Sequence, residues 1–315
     1  MILPDLVIPS LINQFFLTNA IDSPEQCLDK KHYAAYPWQV SYNYNSRGFR
    51  DSEWPESVYD MENAVWCVGD SFTVGIGSPY QHTWPCILQK VTGQQTINIS
   101  MTGASNNWIS RRASQILRDV QPRTMIIHWS YDHRREVDDH TVHHKINQYW
   151  RKFYTDCADN TWPGLNGMTV LPTIDQFDKL PRKIQTELLY TYNFDFHKQQ
   201  WQQLTNDEQR RIWNTDTTPT ENNTNLLNCV DLVESCKNNC TVVHSLIPEY
   251  TNAKNADMSW TMLKPYNFIP EFDILDLARD GKHYDIKTSQ FFVQKIIQFL
   301  KTKYQVDLKE HRMVC

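Results

Sequence analysis

Four short apolar runs, Val65–Val68, Ile97–Ile99, Met125–Ile127 and Val242–Ile247, punctuate an otherwise polar chain. Short runs that are apolar throughout, as at 65–68 and 125–127, or broken only by Asn98 or by His244-Ser245, are the pattern of strands buried on both faces. Elsewhere the period changes. Across Asn107–Val120 the apolar positions Ile109, Ala113, Ile116, Leu117 and Val120 recur at the spacing of one helix face, and Pro122 then stops the segment. Residues 288–303 repeat the pattern with Phe292, Val293, Ile296, Ile297 and Leu300, and Thr288 or Ser289 is the expected N-cap. Strands alternating with helices predict an α/β fold, a three-layer αβα sandwich around a central parallel sheet with right-handed crossovers. Sites in such sheets form beyond the carboxyl ends of the strands.

Two regions break this rhythm. Residues 1–63 form an extension expected to pack on the core, which comprises 64–136 and 223–305. The segment 137–222 is an insertion between the third and fourth strands, read as mostly helical over 141–156, 173–192 and 197–213. It is polar and carries aromatics such as Trp150, Trp162, Trp201 and Trp213, which are either the packed sides of helices or surfaces for stacking on a partner or a sugar. Residues 306–315 form a tail.

Composition narrows the field. With 315 residues and 40% apolar content the chain buries a sizeable core. A formal net charge of −5 carries no polycationic footprint for nucleic acid. The opening residues lack a basic region and are interrupted by Pro4 and Pro9, unlike a signal peptide, and no apolar run is long enough to span a membrane. The expectation is a cytoplasmic or particle-associated protein without a nucleic-acid or membrane partner. The eight cysteines (27, 67, 86, 157, 229, 236, 240 and 315) then read as reduced thiols, and without a paired C-x-x-C they make no zinc site. His140, His143 and His144 beside Asp138 and Asp139 read as a solvated helix start rather than a metal site. Gly75-Ile-Gly77 lacks the third glycine and the acidic residue of a dinucleotide site. Neither a metal nor an organic cofactor is expected.

The chemistry concentrates in two places. The strand Val65–Val68 runs into Gly69-Asp70-Ser71, which puts a serine at the mouth of a strand, where its own amide would favour a developing oxyanion. Some two hundred residues later, Asp280-Gly-Lys-His283 can deliver a carboxylate and an imidazole from one turn. A serine hydroxyl becomes a nucleophile when an imidazole takes its proton, and the imidazole needs an acceptor on its other nitrogen.

In these motifs the chain resembles the SGNH (GDSL-type) hydrolases. Gly69-Asp70-Ser71-Phe72-Thr73 matches the first block of that family, Gly103 in Asn98–Asn106 the second, and Asp280-Gly281-Lys282-His283 the fifth, in the family's order. The third block departs: the family places an asparagine after its third strand, and here His128–Glu136 has Tyr131 at that point. Asn106 or Asn107 is the candidate replacement donor. A stretch like Asn45–Arg50 precedes the first block in some carbohydrate-active members; the other reading of it is a turn with a solvated arginine.

The resemblance implies a carboxylic ester hydrolase. Ser71 would be the nucleophile, His283 the base and Asp280 its orienter, with Ser71, Gly103 and Asn106 around the oxyanion. The implied substrate is an acyl ester, with an acetylated glycan preferred. Two alternatives stay open: a non-catalytic module on the same fold, part of a larger particle, and acyl transfer to another alcohol instead of water.

Overall fold

A computed structural model of the chain describes residues 3, 5–19, 22–24, 27, 29–131, 134–137, 140–143, 219–248, 263–269 and 272–304. The chain divides into two compact units, 1–132 with 223–315, and 133–222.

The first unit is built on four parallel strands, β3 (Val65–Gly69), β4 (Thr96–Ser100), β5 (Thr124–Trp129) and β8 (Thr241–Leu246), in the order β4-β3-β5-β8. Val65 lies opposite Thr96 on one side and Thr124 on the other, and Thr124 lies opposite Thr241. Strand alternation sends Trp66 and Val68 to one face and Val65 and Cys67 to the other. The first face is covered by α5 (Asn106–Asp119), through Ile109, Ala113, Ile116 and Leu117, and by α6 (Pro219–Cys236), through Leu226, Val230 and Val233. The second is covered by α4 (Trp84–Thr92), through Ile87, Leu88 and Val91, and by α7 (Ile286–Tyr304), through Phe292, Val293 and Ile296. Helices on both faces of a parallel sheet make the expected α/β sandwich. The strand order reverses between β3 and β5, which is where ligands bind in such sheets.

Residues of the extension add a small antiparallel pair, β1 (Phe15–Phe16) with β2 (Tyr42–Asn43), and the short helices α1 (Lys30–Ala35), capped by Asp29, and α2 (Val58–Asn63). Val40, Tyr42 and Tyr44 pack with Val74 and Ile76, so the extension lies against the chain that follows Ser71. The expected turn at Asn45 is present, with its side chain accepting the amides of Arg47 and Phe49. Arg50 is not solvated: it is 1% exposed.

α7 starts two residues earlier than the expected Thr288 cap, because the carboxylate of Asp276 accepts the amides of Lys287 and Thr288 from the loop before it. In the second unit, β6 (Arg134–Val137) pairs antiparallel with β7 (His140–His143), so 141–143 is strand where a helix was expected. A β-branched run, His-Thr-Val-His, favours that outcome. The segments 173–192 and 197–213, the tail, His144, Asp138 and Asp139 lie outside the described residues. Among the described residues no helix is long and apolar enough to cross a membrane, and the six cysteines are free thiols.

Two buried groups pull stability in opposite directions with pH. His128, at the end of β5, sits among the rings of Trp84, Phe272, Tyr284 and Phe292, and burial pulls its imidazole from 6.5 down to about 4. The unfolded chain therefore takes up this proton first on acidification, and stability falls from pH 6.5 to 4 by roughly 3 kcal/mol. Burial pushes Asp51 up to about 6 despite hydrogen bonds from the Asn98 amide and Tyr80. Here the unfolded chain loses its proton first, so stability falls as pH rises from about 4 to 6, again by roughly 3 kcal/mol. Relative to wild type, His128→Phe is expected to gain stability as pH drops from 6.5 to 4, and Asp51→Asn as pH rises from 4 to 6. Urea unfolding across this range checks both; curves running parallel to wild type would refute them.

Candidate active site

β3 ends at Gly69, and the chain turns at once into the short helix α3 (Ser71–Val74). Only glycine permits that exit, since a Cβ at position 69 would lie 2.1 Å from Thr73 Oγ1. Asp70 caps the turn by accepting the Phe72 amide at 3.0 Å. Its other oxygen accepts the Ser130 hydroxyl at 2.7 Å, which ties the ends of β3 and β5 together at the switch point. Ser71 is thereby held at the carboxyl edge of the sheet.

The 277–284 loop closes on itself through the Leu277–Tyr284 bridge and a 2.8 Å bond from the Ala278 amide to the His283 carbonyl. It brings His283 Nε2 to 2.8 Å from Ser71 Oγ. On the far side, His283 Nδ1 is 2.5 Å from Asp280 Oδ2. Asp280 Oδ1 accepts the amides of Lys282 and His283 at 3.1 and 3.0 Å, so the carboxylate is fixed within its own turn. Burial by itself would raise the Asp280 pKa; the His283 charge and hydrogen bond, with the two amides, outweigh it and hold the carboxyl below its ordinary range. Ser71, Asp280 and His283 are all buried. The Phe72 ring lies 4.5 Å from the imidazole, centroid to centroid, and shields it. The three residues singled out by motif thus form one hydrogen-bonded line, Ser71–His283–Asp280, in which a proton can pass from hydroxyl to imidazole.

The oxyanion candidates divide. Gly103, at φ +77°, sits in the loop between β4 and α5, and β4 is the neighbour of β3. Asn106 is used otherwise than expected. Its Nδ2 donates to the carbonyls of Tyr131, at 2.9 Å, and Ser130, at 3.4 Å, while its Oδ1 accepts the Ser130 amide at 3.0 Å. These contacts fasten the loop after β5 to the start of α5. Asn107 is paired with Asn225 of α6. Tyr131 packs its ring edge-on against Phe72.

Several residues at the site carry no signal in the motifs. Ser130 is one. His82 is another: its Nδ1 lies 3.0 Å from Asp285, which also accepts the Tyr36 hydroxyl. The His82 and Tyr36 contacts overcome the effect of burial and hold Asp285 below the ordinary carboxylate range. Arg50 completes the base of the site, donating to the carbonyls of Val74, Gly75 and Ser78 on the chain behind Ser71. No cluster of His, Cys, Asp or Glu that would hold a metal ion occurs among the described residues.

No family model matches the chain, and no curated protein matches it in sequence. Solved structures do match. TesA aligns over 76% of this chain and 98% of its own at 12% identity and a TM-score of 0.42. The psychrotrophic esterase EstA from Pseudoalteromonas sp., in a structure inhibited by monoethylphosphonate, aligns over 76% and 97% at 14% identity and a TM-score of 0.40. A G-D-S-L family protein from Desulfitobacterium hafniense DCB-2 aligns over 76% and 99% at 12% identity and a TM-score of 0.37.

Proposed function

We propose that this protein is a serine esterase of the SGNH type that acts on a carboxylic ester. The observation that carries this reading is the continuous Ser71–His283–Asp280 line, with contacts of 2.8 and 2.5 Å. His283 Nε2 takes the Ser71 proton as Oγ attacks the ester carbonyl, and Asp280 holds the imidazole in the tautomer that leaves Nε2 free to accept. The imidazolium then protonates the departing alcohol. Water, activated by the same imidazole, releases the acyl group and restores the hydroxyl.

The oxyanion that forms in both halves of the reaction needs donors. The amides of Ser71 and Gly103 are the ones we assign to it, with no side-chain amide from Asn106. One donor fewer costs about 10²–10³ in rate, so a slow enzyme is expected on activated esters. Arg50 faces backbone carbonyls and lends no support to a sugar ester; the substrate class stays a carboxylic ester.

The commitment of Asn106 to the β5 loop favours one second reading, a binding module that retains the relay without turnover. A fluorophosphonate probe separates the two. Wild-type protein is expected to label stoichiometrically and to hydrolyse p-nitrophenyl acetate, with both activities lost in Ser71→Ala. Folded wild-type protein that takes no label would remove the esterase reading and leave the module.

A further inference from the structure

The loop that carries Asp280 and His283 is held from outside by the amino-terminal extension. Arg279, immediately before Asp280, directs Nε and Nη2 at the two oxygens of Asp22, at 3.0 and 2.6 Å. Asp22 is fully buried and the Arg279 side chain is 13% exposed. The guanidinium also lies over the Tyr33 ring and donates to the Leu17 carbonyl. His32 Nε2 donates to the Ala278 carbonyl at 2.7 Å.

Asp22 reaches the nucleophile side too. Tyr42 donates its hydroxyl to Asp22 at 2.5 Å and accepts the Gly77 amide at 2.8 Å. Burial, then the nearby carboxylate, push the Tyr42 phenol up, so it stays protonated and keeps this donor direction. Gly77 in turn accepts the Arg279 amide at 2.9 Å. Only glycine fits there: φ is +76°, and a Cβ would come within 3.0 Å of the Asp280 amide nitrogen. The contacts close a ring that runs from Ser71 along its loop to Gly77, through Tyr42, Asp22 and Arg279 to Asp280, and by His283 back to Ser71.

We propose that Asp22 and Arg279 are a positioning pair for the Asp280–His283 loop, which makes the amino-terminal extension part of the active site. Two oxygens meeting two N–H groups of a planar guanidinium fix direction as well as distance, which a single ammonium does not. The direction matters because the relay tolerates little error: a displacement of about 1 Å costs about 10²-fold in rate. The pair touches no reacting atom and acts by setting where Asp280 stands.

The test uses the full chain and two readouts, and it rests on the esterase reading for only the first. One is the saturating rate of fluorophosphonate labelling. The other is the downfield proton resonance of His283 Nδ1 in its short bond to Asp280, identified by its loss in His283→Gln. Arg279→Met is expected to lower the maximal labelling rate about 10²-fold with the half-saturating probe concentration unchanged. It is also expected to broaden the resonance, with Arg279→Lys falling between. Should Arg279→Met fail to fold, Tyr42→Phe keeps the Asp22–Arg279 contacts and removes the hydroxyl that joins Asp22 to the Gly77 amide; the same two changes are expected, smaller in size. A resonance lost in these variants of a wild type that never labels would uphold the positioning pair and overturn the esterase reading. Unchanged labelling with an unchanged resonance overturns the pair.

Discussion

Asp280→Asn is expected to lower ester hydrolysis and fluorophosphonate labelling about 10⁴-fold while leaving the fold in place. The asparagine oxygen can still accept the amides of Lys282 and His283, as Asp280 Oδ1 does, so the turn survives. The change falls on the other side. An NH2 group now faces His283 Nδ1 where the carboxylate oxygen stood at 2.5 Å, and it can only donate. The imidazole must then carry its proton on Nε2, pointing at Ser71 Oγ, and the serine proton has nowhere to go. His283→Gln removes the base itself and should cost more, about 10⁶-fold. Steady-state hydrolysis of p-nitrophenyl acetate, with circular dichroism to verify folding, measures both; an Asn variant within tenfold of wild type would contradict the assigned tautomer, since roughly tenfold is far below the cost of a misplaced proton.

Arg50→Ala is expected to cost on the order of 3–5 kcal/mol of stability. The four Nη protons of this buried side chain go to the carbonyls of Ser41, Val74, Gly75 and Ser78, and the guanidinium lies 4.4 Å from the Tyr42 ring centroid. Truncation removes the donors to the buried Val74 and Ser78 carbonyls and one of the two to Gly75, which also accepts the Ser78 amide, and opens a cavity beneath the Ser71 loop. Lysine offers one ammonium where a planar fork is needed, so Arg50→Lys should recover less than half the loss. Urea unfolding followed by tryptophan fluorescence gives the value, and a midpoint matching wild type would show that water replaces the guanidinium freely.

The central sheet was legible in the chain because its buried strands are mostly apolar, with polar interruptions such as Asn98 in β4 and His244 and Ser245 in β8. Val65–Val68 and Met125–Ile127 lie within β3 and β5, and the periodic stripes at 107–120 and 288–303 mark α5 and α7. α4 was harder to see, since it is short and opens through Trp84-Pro85. The Ser71, His283 and Asp280 alignment was legible through motif and order, whose spacing is local at Asp280–His283 and at the strand exit. The contacts of Arg50 and Asn106, both singled out by their place in the sequence, and any part for Asp22 were not. Each owes its role to groups that converge only in three dimensions: Arg279 is 257 positions from Asp22, and the carbonyls that claim Asn106 are 24 and 25 positions away. A cap at Thr288 was a local inference defeated by a remote competitor, Asp276, which reaches the helix end first.

The hydroxyl and imidazole that meet at the sheet edge are 212 positions apart. At a translation rate of about 5–20 residues per second, Ser71 leaves the ribosome about 10–40 s before His283. Throughout that interval the nascent chain carries an ordinary alcohol, chemically silent toward the esters around it. On the proposed esterase reading, synthesis order alone therefore delays a reactive serine until the last strand and its following loop have been made.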